Sequence, residues 1–577
     1  MLAFSILTIS VLLNGGGSSD GSALRQGQYR GPIDEILTGF PTPGGPTPGI
    51  PTDPAAMGDL IGAAEGYNRW EFWFEINKDL LLRSRDFRRR EILSEGPPLP
   101  EPIADDGKVR IGEARNLIAP ALRASLKSTD PRVVRQAALG LGRMSAKDAI
   151  PELDELSQKS DPETKRYAIL ALGMMDDRAV LPKLVNVLVD PQASVELRAA
   201  AALGLGLHGR KEGARFLRDF LERLLNAETA VGSEKEVFVA ATIALGMCRD
   251  RETAPLLIAR YRMLREVRTA RSRSIEVLLL NALGRIGDPS GIITLLEALG
   301  EKDEQIRRSA AQALGDLGDR TAVKALIEVL EKDHDEQTRG FAAISLGRLG
   351  SEAARDALRI GFTVKSSRTV KTFSALGLGL LGDRAFSPEI LKALQQPSEE
   401  DSKGAFAIAL GLLQETKAVE TLLKVVETRG ANAAFRGYCA IALGMIRPEG
   451  VLDRLIKILE EDPDKVDLWR RALCLGIGLF GQPKASPALV KVLQNDPRAI
   501  VREHSALALN LSRGRSSISM LTTTLEKEQM KGDLSLFCVS ALSGLGDRFE
   551  YPLISETFFN VNYRVRNTFL EDLQKVL

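Results

Sequence analysis

Six arginines crowd one short stretch of this chain, "ARYRMLREVRTARSRSIEV": Arg260, Arg262, Arg265, Arg268, Arg271 and Arg273. Guanidinium groups so closely spaced suit carboxylates or phosphates presented by a partner, because each planar fork can give two parallel charge-assisted hydrogen bonds. The same run also reads as a solvated extension of a helix. A weaker basic run, "RSRDFRRRE", follows an aromatic stretch in which Trp70, Trp73, Asn77, Leu80 and Leu81 share one helical face. That face reads either as a docking surface or as a cap over the exposed end of whatever follows it.

Groups able to move protons or hold metals are sparse. Histidine, the commonest general acid or base, occurs three times, as His208, His334 and His504, with no metal-ligand spacing between them. There is no CxxCH haem site, no GxxxxGK[ST] phosphate loop and no nucleophile elbow. The acidic residues sit where helix caps and turns explain them. No catalytic residue, metal or cofactor is therefore expected. With 77 basic and 76 acidic residues, no general field draws in nucleic acid or an anionic membrane.

The elements that carry these residues follow from a repetition. Gly142, Gly173, Gly206, Gly246, Gly284, Gly315, Gly347, Gly379, Gly411, Gly444 and Gly478, with Asn510 and Ser543 in the last two copies, recur every 31 to 40 residues. The preceding residue is leucine in twelve of the thirteen copies and Ile477 in the other, and the one before that is always Ala, Gly or Ser. Each interval holds two short amphipathic helices. "EQIRRSAAQALGDL" places Ile306, Ala310, Ala313, Leu314 and Leu317 on one face, and "TAVKALIEVL" does the same with Val323, Leu326, Ile327 and Leu330. Asp-Pro pairs at 130, 161, 190, 462 and 496 read as helix starts.

A glycine inside a helix costs roughly 1 kcal/mol relative to alanine, so the repeated one needs a reason. The small neighbour two residues earlier supplies it, since together they let another backbone approach closely. The second glycine of each pair, as at Gly287, Gly318, Gly350 and Gly382, lies where a left-handed C-terminal cap is expected. No single hairpin can bury its apolar face, so neighbours must stack. The predicted fold is all-α, an α-α superhelix of about thirteen helical hairpins, drawn out as a curved rod on the order of 100 Å long.

The pattern in "DPRVVRQAALGLG" and "GDRTAVKALIEVL" resembles the HEAT repeat, most closely the short variety of phycobilin lyases. Arg135, Arg166, Arg308 and Arg471 are similar to the family's basic position, which bonds neighbouring loops. The resemblance implies a solenoid over 112–577 whose groove holds another protein. HEAT-repeat iron hydroxylases carry paired His-Glu ligands; here Gly209, Asp335 and Ser505 follow the histidines. A bilin-holding, lyase-like role and a nucleic-acid-binding HEAT module stand as the alternatives to a non-enzymatic scaffold.

Ahead of the repeats, residues 1–17 read as a signal peptide with "LAFSILTISVLL" as its core, too short to span a bilayer. A Pro/Gly-rich tether (18–58), the aromatic helix (59–95) and a Pro-rich link (96–111) follow, an order that resembles exported planctomycete-type HEAT proteins. Export to the periplasm or cell envelope is expected, with a cytoplasmic location the alternative, as is a monomer with a protein partner and no membrane span. Cys248, Cys439, Cys474 and Cys538 fall among apolar neighbours in equivalent helices, too far apart to bridge, and are expected to be free, buried thiols.

Overall fold

The computed structural model describes residues 70, 73, 74, 77, 111–226, 234–267, 270–363, 367–396, 402–461, 466–512 and 514–547. The leader, the tether and the Pro-rich link up to residue 110 lie outside them, as do residues 548–577 and most of the 59–95 segment.

The described repeats are thirteen hairpins, each an odd-numbered helix followed by an even-numbered one that carries the repeated glycine, or Asn510 and Ser543 in the last two. In order these are α1 (Ile111–Ser125), α2 (Pro131–Met144), α3 (Ile150–Lys159), α4 (Pro162–Gly173), α5 (Leu181–Val189), α6 (Val195–His208), α7 (Lys211–Asn226), α8 (Lys235–Cys248) and α9 (Ala254–Val267). Next come α10 (Ala270–Ile286), α11 (Ile292–Leu299), α12 (Glu304–Leu317), α13 (Val323–Lys332), α14 (Glu336–Leu349), α15 (Glu352–Thr363), α16 (Arg368–Leu381), α17 (Ser387–Gln395) and α18 (Lys403–Leu413). The last are α19 (Val419–Glu427), α20 (Ala433–Ile446), α21 (Val451–Glu461), α22 (Asp467–Leu479), α23 (Ser486–Asn495), α24 (Ala499–Ser512), α25 (Arg515–Lys527) and α26 (Gly532–Leu545).

Local chemistry sets the ends. Asp130 and Asp161 accept from backbone N–H groups in the first turns of α2 and α4, with Pro131 and Pro162 opening those helices. Asp190-Pro191 departs from expectation: Asp190 closes a turn on the N–H of Gln192, and Ser194 caps α6 instead. Gly287, Gly318, Gly350 and Gly382 take φ between +63° and +80°, the left-handed cap that the second glycine of each pair was expected to form.

The repeated glycine meets the small residue two places before the next repeated glycine. A Cβ on Gly142 would lie 2.7 Å from the Ala171 carbonyl oxygen, one on Gly206 would lie 2.7 Å from Ala244 Cα, and one on Gly347 would lie 2.4 Å from the Gly377 oxygen. Gly284 meets Ala313, and Gly478 meets Ala508, in the same way. The sequence rule is thus reciprocal: glycine on one helix, Ala, Gly or Ser on its neighbour, and backbone against backbone between them.

The curved rod is overturned. Each even helix packs on the next even helix from α2 to α26, and α26 packs back on α2, so the solenoid closes into a ring. The seam follows the same code, because Ser543 stands in the glycine position and a Cβ on Gly140, two before Gly142, would lie 2.1 Å from its Oγ. Polar contacts fasten the joint: Ser128 Oγ donates to the Met530 carbonyl (2.6 Å), Arg115 Nε donates to that of Gly546 (3.3 Å), Arg132 pairs with Asp533 (2.8 Å) and Arg515 with Glu113 (2.7 Å).

Closure has a wedge-shaped cause. Thirteen repeats turn through a full circle at about 28° each, which for layers about 10 Å apart requires outer axes spaced about 5 Å wider than inner ones. Even helices touching through glycine supply the narrow side, so they form the inner layer. Odd helices meet one another far less extensively and form the outer one. A circular inner layer at 8–10 Å spacing would enclose a space about 25 Å across.

Candidate functional site: the interior face of the ring

Register on the even helices defines which side chains look inward. Five residues before the repeated glycine the side chain points outward: Phe406 packs on Phe362 of α15 (centroids 5.4 Å apart), and Ser505 Oγ donates to the Leu489 carbonyl of α23 (2.6 Å). Positions two residues to either side of this lie about 200° around the helix. They therefore face the interior.

The position seven before the glycine is one of these, and in α18 it is Gly404. A Cβ there would lie 2.7 Å from Trp70 Cζ2 and 2.6 Å from Tyr438 Cδ2, so its bare backbone is a notch holding the Trp70 indole. Trp70 packs on Tyr438 of α20 with centroids 4.9 Å apart and planes tilted by 53°, Phe74 meets the same ring edge-on at 5.7 Å, and Trp73 meets Phe373 of α16 edge-on at 5.8 Å. Trp70, Trp73, Phe74 and Asn77, all helical, are at least 96% buried. The aromatic helix was expected either to cap the first repeat or to dock on a partner; it lies against α16, α18 and α20. A closed ring has no bare end to cap, and the notch at Gly404 receives the indole instead.

The other inward position lies three before the repeated glycine. It is leucine or isoleucine in most repeats, as at Leu139, Leu203, Ile344, Ile441 and Leu475. In two successive repeats it is an amide instead, Asn281 and Gln312. Both are at most 3% exposed, and neither amide atom of Asn281, nor Gln312 Oε1, has a hydrogen-bond partner among the described residues. A buried amide left unpaired costs about 1–3 kcal/mol, so these two stand out from the leucine or isoleucine that most repeats carry at this position.

Among the described residues, the arginine cluster is not assembled into one open patch. Arg265 pairs with Glu297 (3.0 Å) and Glu301 (2.6 Å), and Arg273 with Asp303 (2.6 Å), all in or beside the following hairpin. Arg260 lies against Met263 Sδ at 3.5 Å, and its partial burial lowers the guanidinium pKa. Arg262 is exposed. Arg268 and the side chain of Arg271 lie outside the described residues. Elsewhere arginines tie hairpins together as the family pattern implied: Arg135 donates to Thr164 (3.0 Å) and Asp161 (3.1 Å), and Arg308 to Asp335 (2.6 Å).

His208 Nδ1 lies 2.7 Å from the Met175 carbonyl oxygen and His504 Nδ1 2.9 Å from that of Ile500, both structural roles. Among the described residues no group of three or more His, Cys, Asp or Glu is placed to hold a metal ion, and no helix is long and apolar enough to cross a membrane. The four cysteines are free; three are buried and Cys248 is partly exposed. Burial pushes the thiols of Cys248, Cys474 and Cys538 up to about 12.

Sequence reasoning found Trp70 and Trp73 but missed Phe373, Gly404 and Tyr438. One signal was present: Gly340, Gly404 and Gly437 each sit seven before a repeated glycine, and in two of them an aromatic follows at once, Phe341 and Tyr438. Such a glycine at the head of an inner helix marks close packing on the interior side.

The profile describing HEAT repeats matches residues 118–206, 153–228, 262–340, 294–379 and 387–469, together more than half of the chain. No curated protein matches. Among solved structures, the CpcE–CpcF complex of phycocyanin lyase from a Nostoc species is 22% identical over 40% of this chain and 92% of its own, with a TM-score of 0.31. Human deoxyhypusine hydroxylase in complex with glycerol is 19% identical over 46% and 96%, at 0.21. The karyopherin Kap121p bound to the extreme C-terminus of the phosphatase Cdc14p is 13% identical over 80% and 56%, at 0.33.

Proposed function

The chain belongs to the HEAT-repeat family, and we propose that it is a non-enzymatic scaffold that holds another protein against the interior face of its ring. The observation that carries this reading is the aromatic helix seated on α16, α18 and α20: the wall already holds a helical segment through an indole notch. The buried amide of Asn281 and the buried Oε1 of Gln312, without hydrogen-bond partners among the described residues, add polar anchors for an occupant.

The test is affinity capture with the wild-type chain and with Asn281→Leu/Gln312→Leu in parallel. That variant restores the leucine of the equivalent repeats, so its melting temperature should hold or rise. Loss of a captured protein with the fold intact supports the reading; identical capture by both chains overturns it. We further propose that the protein is exported. Amino-terminal sequencing of the native protein should begin after the apolar run that ends at Leu13, and an intact Met1 would count against export.

A further inference from the structure

We infer that the Trp70–Asn77 helix is an exchangeable intramolecular ligand, and that the partner displacing it presents a helix with aromatic residues at the same i, i+3, i+4 spacing. This rests on the proposed scaffold role and names the partner chemistry of its site.

The contact has the makings of recognition. Trp70 enters a notch that exists because residue 404 has no side chain, while Trp73 and Phe74 meet Phe373 and Tyr438 in edge-on geometry. Three aromatic groups on one helical face thus find three complementary features on three consecutive inner helices. Such a pattern selects by shape and spacing and needs no charge.

The resident helix is an imperfect ligand. Among the described residues, Trp73 Nε1 and Asn77 Oδ1 are buried without hydrogen-bond partners; Asn77 donates from Nδ2 to the Trp73 carbonyl at 2.7 Å. Each orphan costs the bound state, so a competitor that presents apolar atoms at those two places, or that pairs them, binds better. The position of the helix in sequence favours it in return. Residues 78–110 join it to α1, and thirty-three residues reach about 110 Å when extended. That upper bound exceeds the width of the ring, and because helix and site share one chain, rebinding is intramolecular at an effective concentration on the order of a millimolar. The wild-type site is therefore filled at rest, and a partner must outcompete the tethered segment.

A fluorescein-labelled peptide of residues 64–82 serves as the probe, read by anisotropy against the full-length chain. Trp70→Ala/Trp73→Ala empties the site and should bind the peptide at least tenfold more tightly than wild type does. Adding Gly404→Val to that variant fills the notch and should abolish binding, as should a peptide with both tryptophans replaced. Equal binding to wild type and to the emptied chain, or binding to neither, overturns the inference. Should the tryptophan variant not fold, Gly404→Val in the wild-type chain decides the matter. Ejection of the helix shifts tryptophan emission to the red with helicity unchanged, and an unshifted spectrum overturns the proposal. Neither readout requires the cellular partner, so a failed capture experiment and a failed peptide experiment remain distinct.

Discussion

Two joints in the inner layer use the same residue code and end at different distances. Between α20 and α22 a Cβ on Gly444 would lie 2.2 Å from the Gly476 oxygen, and one on Gly476 2.4 Å from the Ala440 oxygen, so the backbones are in contact. Between α8 and α10 the nearest atoms to a Cβ on Gly246 are Arg285 Cβ at 3.6 Å and Ala282 Cα at 3.8 Å, ordinary spacing. Yet Gly246 and Ala282 repeat the pair formed by Gly206 and Ala244, which closes to 2.7 Å. The small pair permits close approach without enforcing it. The slack joint lies where the repeats are longest, between α7 and α10, and bulky Phe220 and Tyr261 are buried on the outer helices of this sector.

The largest effect should come from filling the tight joint. Gly444→Val drives side-chain atoms into the backbone of α22, and overpacking that cannot relax should cost about 3 kcal/mol or more. Thermal unfolding followed by circular dichroism reads it, and an unchanged melting temperature would show that the two helices do not touch in solution.

Filling the seam should do less to stability and more to shape. Ser543→Leu thrusts a larger side chain at Gly140, costing about 2 kcal/mol, and the ring has the choice of opening there. Small-angle scattering should report a larger radius of gyration with helicity retained. The same radius as wild type would mean that closure does not depend on this contact.

Acid should weaken the joints that are laced by carboxylates. Burial raises the pKa of Asp335, but hydrogen bonds from Arg308 and Thr338 outweigh it and leave the net value lowered; Asp496 is lowered in the same sense by Arg498 and Arg470. A carboxylate with a depressed folded pKa stabilises fully above its unfolded value of about 3.8 and loses that contribution as pH falls through the folded value. Denaturant midpoints should be flat from pH 7 to about 5 and fall below about 4. Asp335→Asn should remove part of that fall, and an unaltered pH profile would exclude the pair as its source.

The smallest effect is expected at the slack joint. Gly246→Ala meets nothing closer than ordinary contact and replaces a poor helix former, so it should be neutral or stabilise by up to about 1 kcal/mol. Destabilisation by more than that would mean that this joint is as tight as its neighbours.

Much of the fold was legible because it is local. Thirteen hairpins, the caps at Asp130 and Asp161 and the left-handed glycines after the inner helices all follow from spacing within about forty residues. The site was half legible. Trp70 and Trp73 announced an apolar face, but Gly404 and Tyr438 belong to other repeats, and nothing in the linear order says that residue 70 meets residues 404 and 438. The arginine cluster read as a charge patch because sequence shows donors and hides the carboxylates of Glu297, Glu301 and Asp303 that the fold brings to Arg265 and Arg273.

By itself the sequence determined the repeating unit and the rule by which one unit meets the next, since both depend on side-chain size over a few turns of helix. Only the tertiary structure decided that the chain of units closes, that Ser543 faces Gly140 and that the aromatic helix lies within. A turn of about 28° per repeat comes from small differences between inner and outer spacing, and a ring exists only when thirteen such differences sum to a circle, a property of the whole that no single repeat contains.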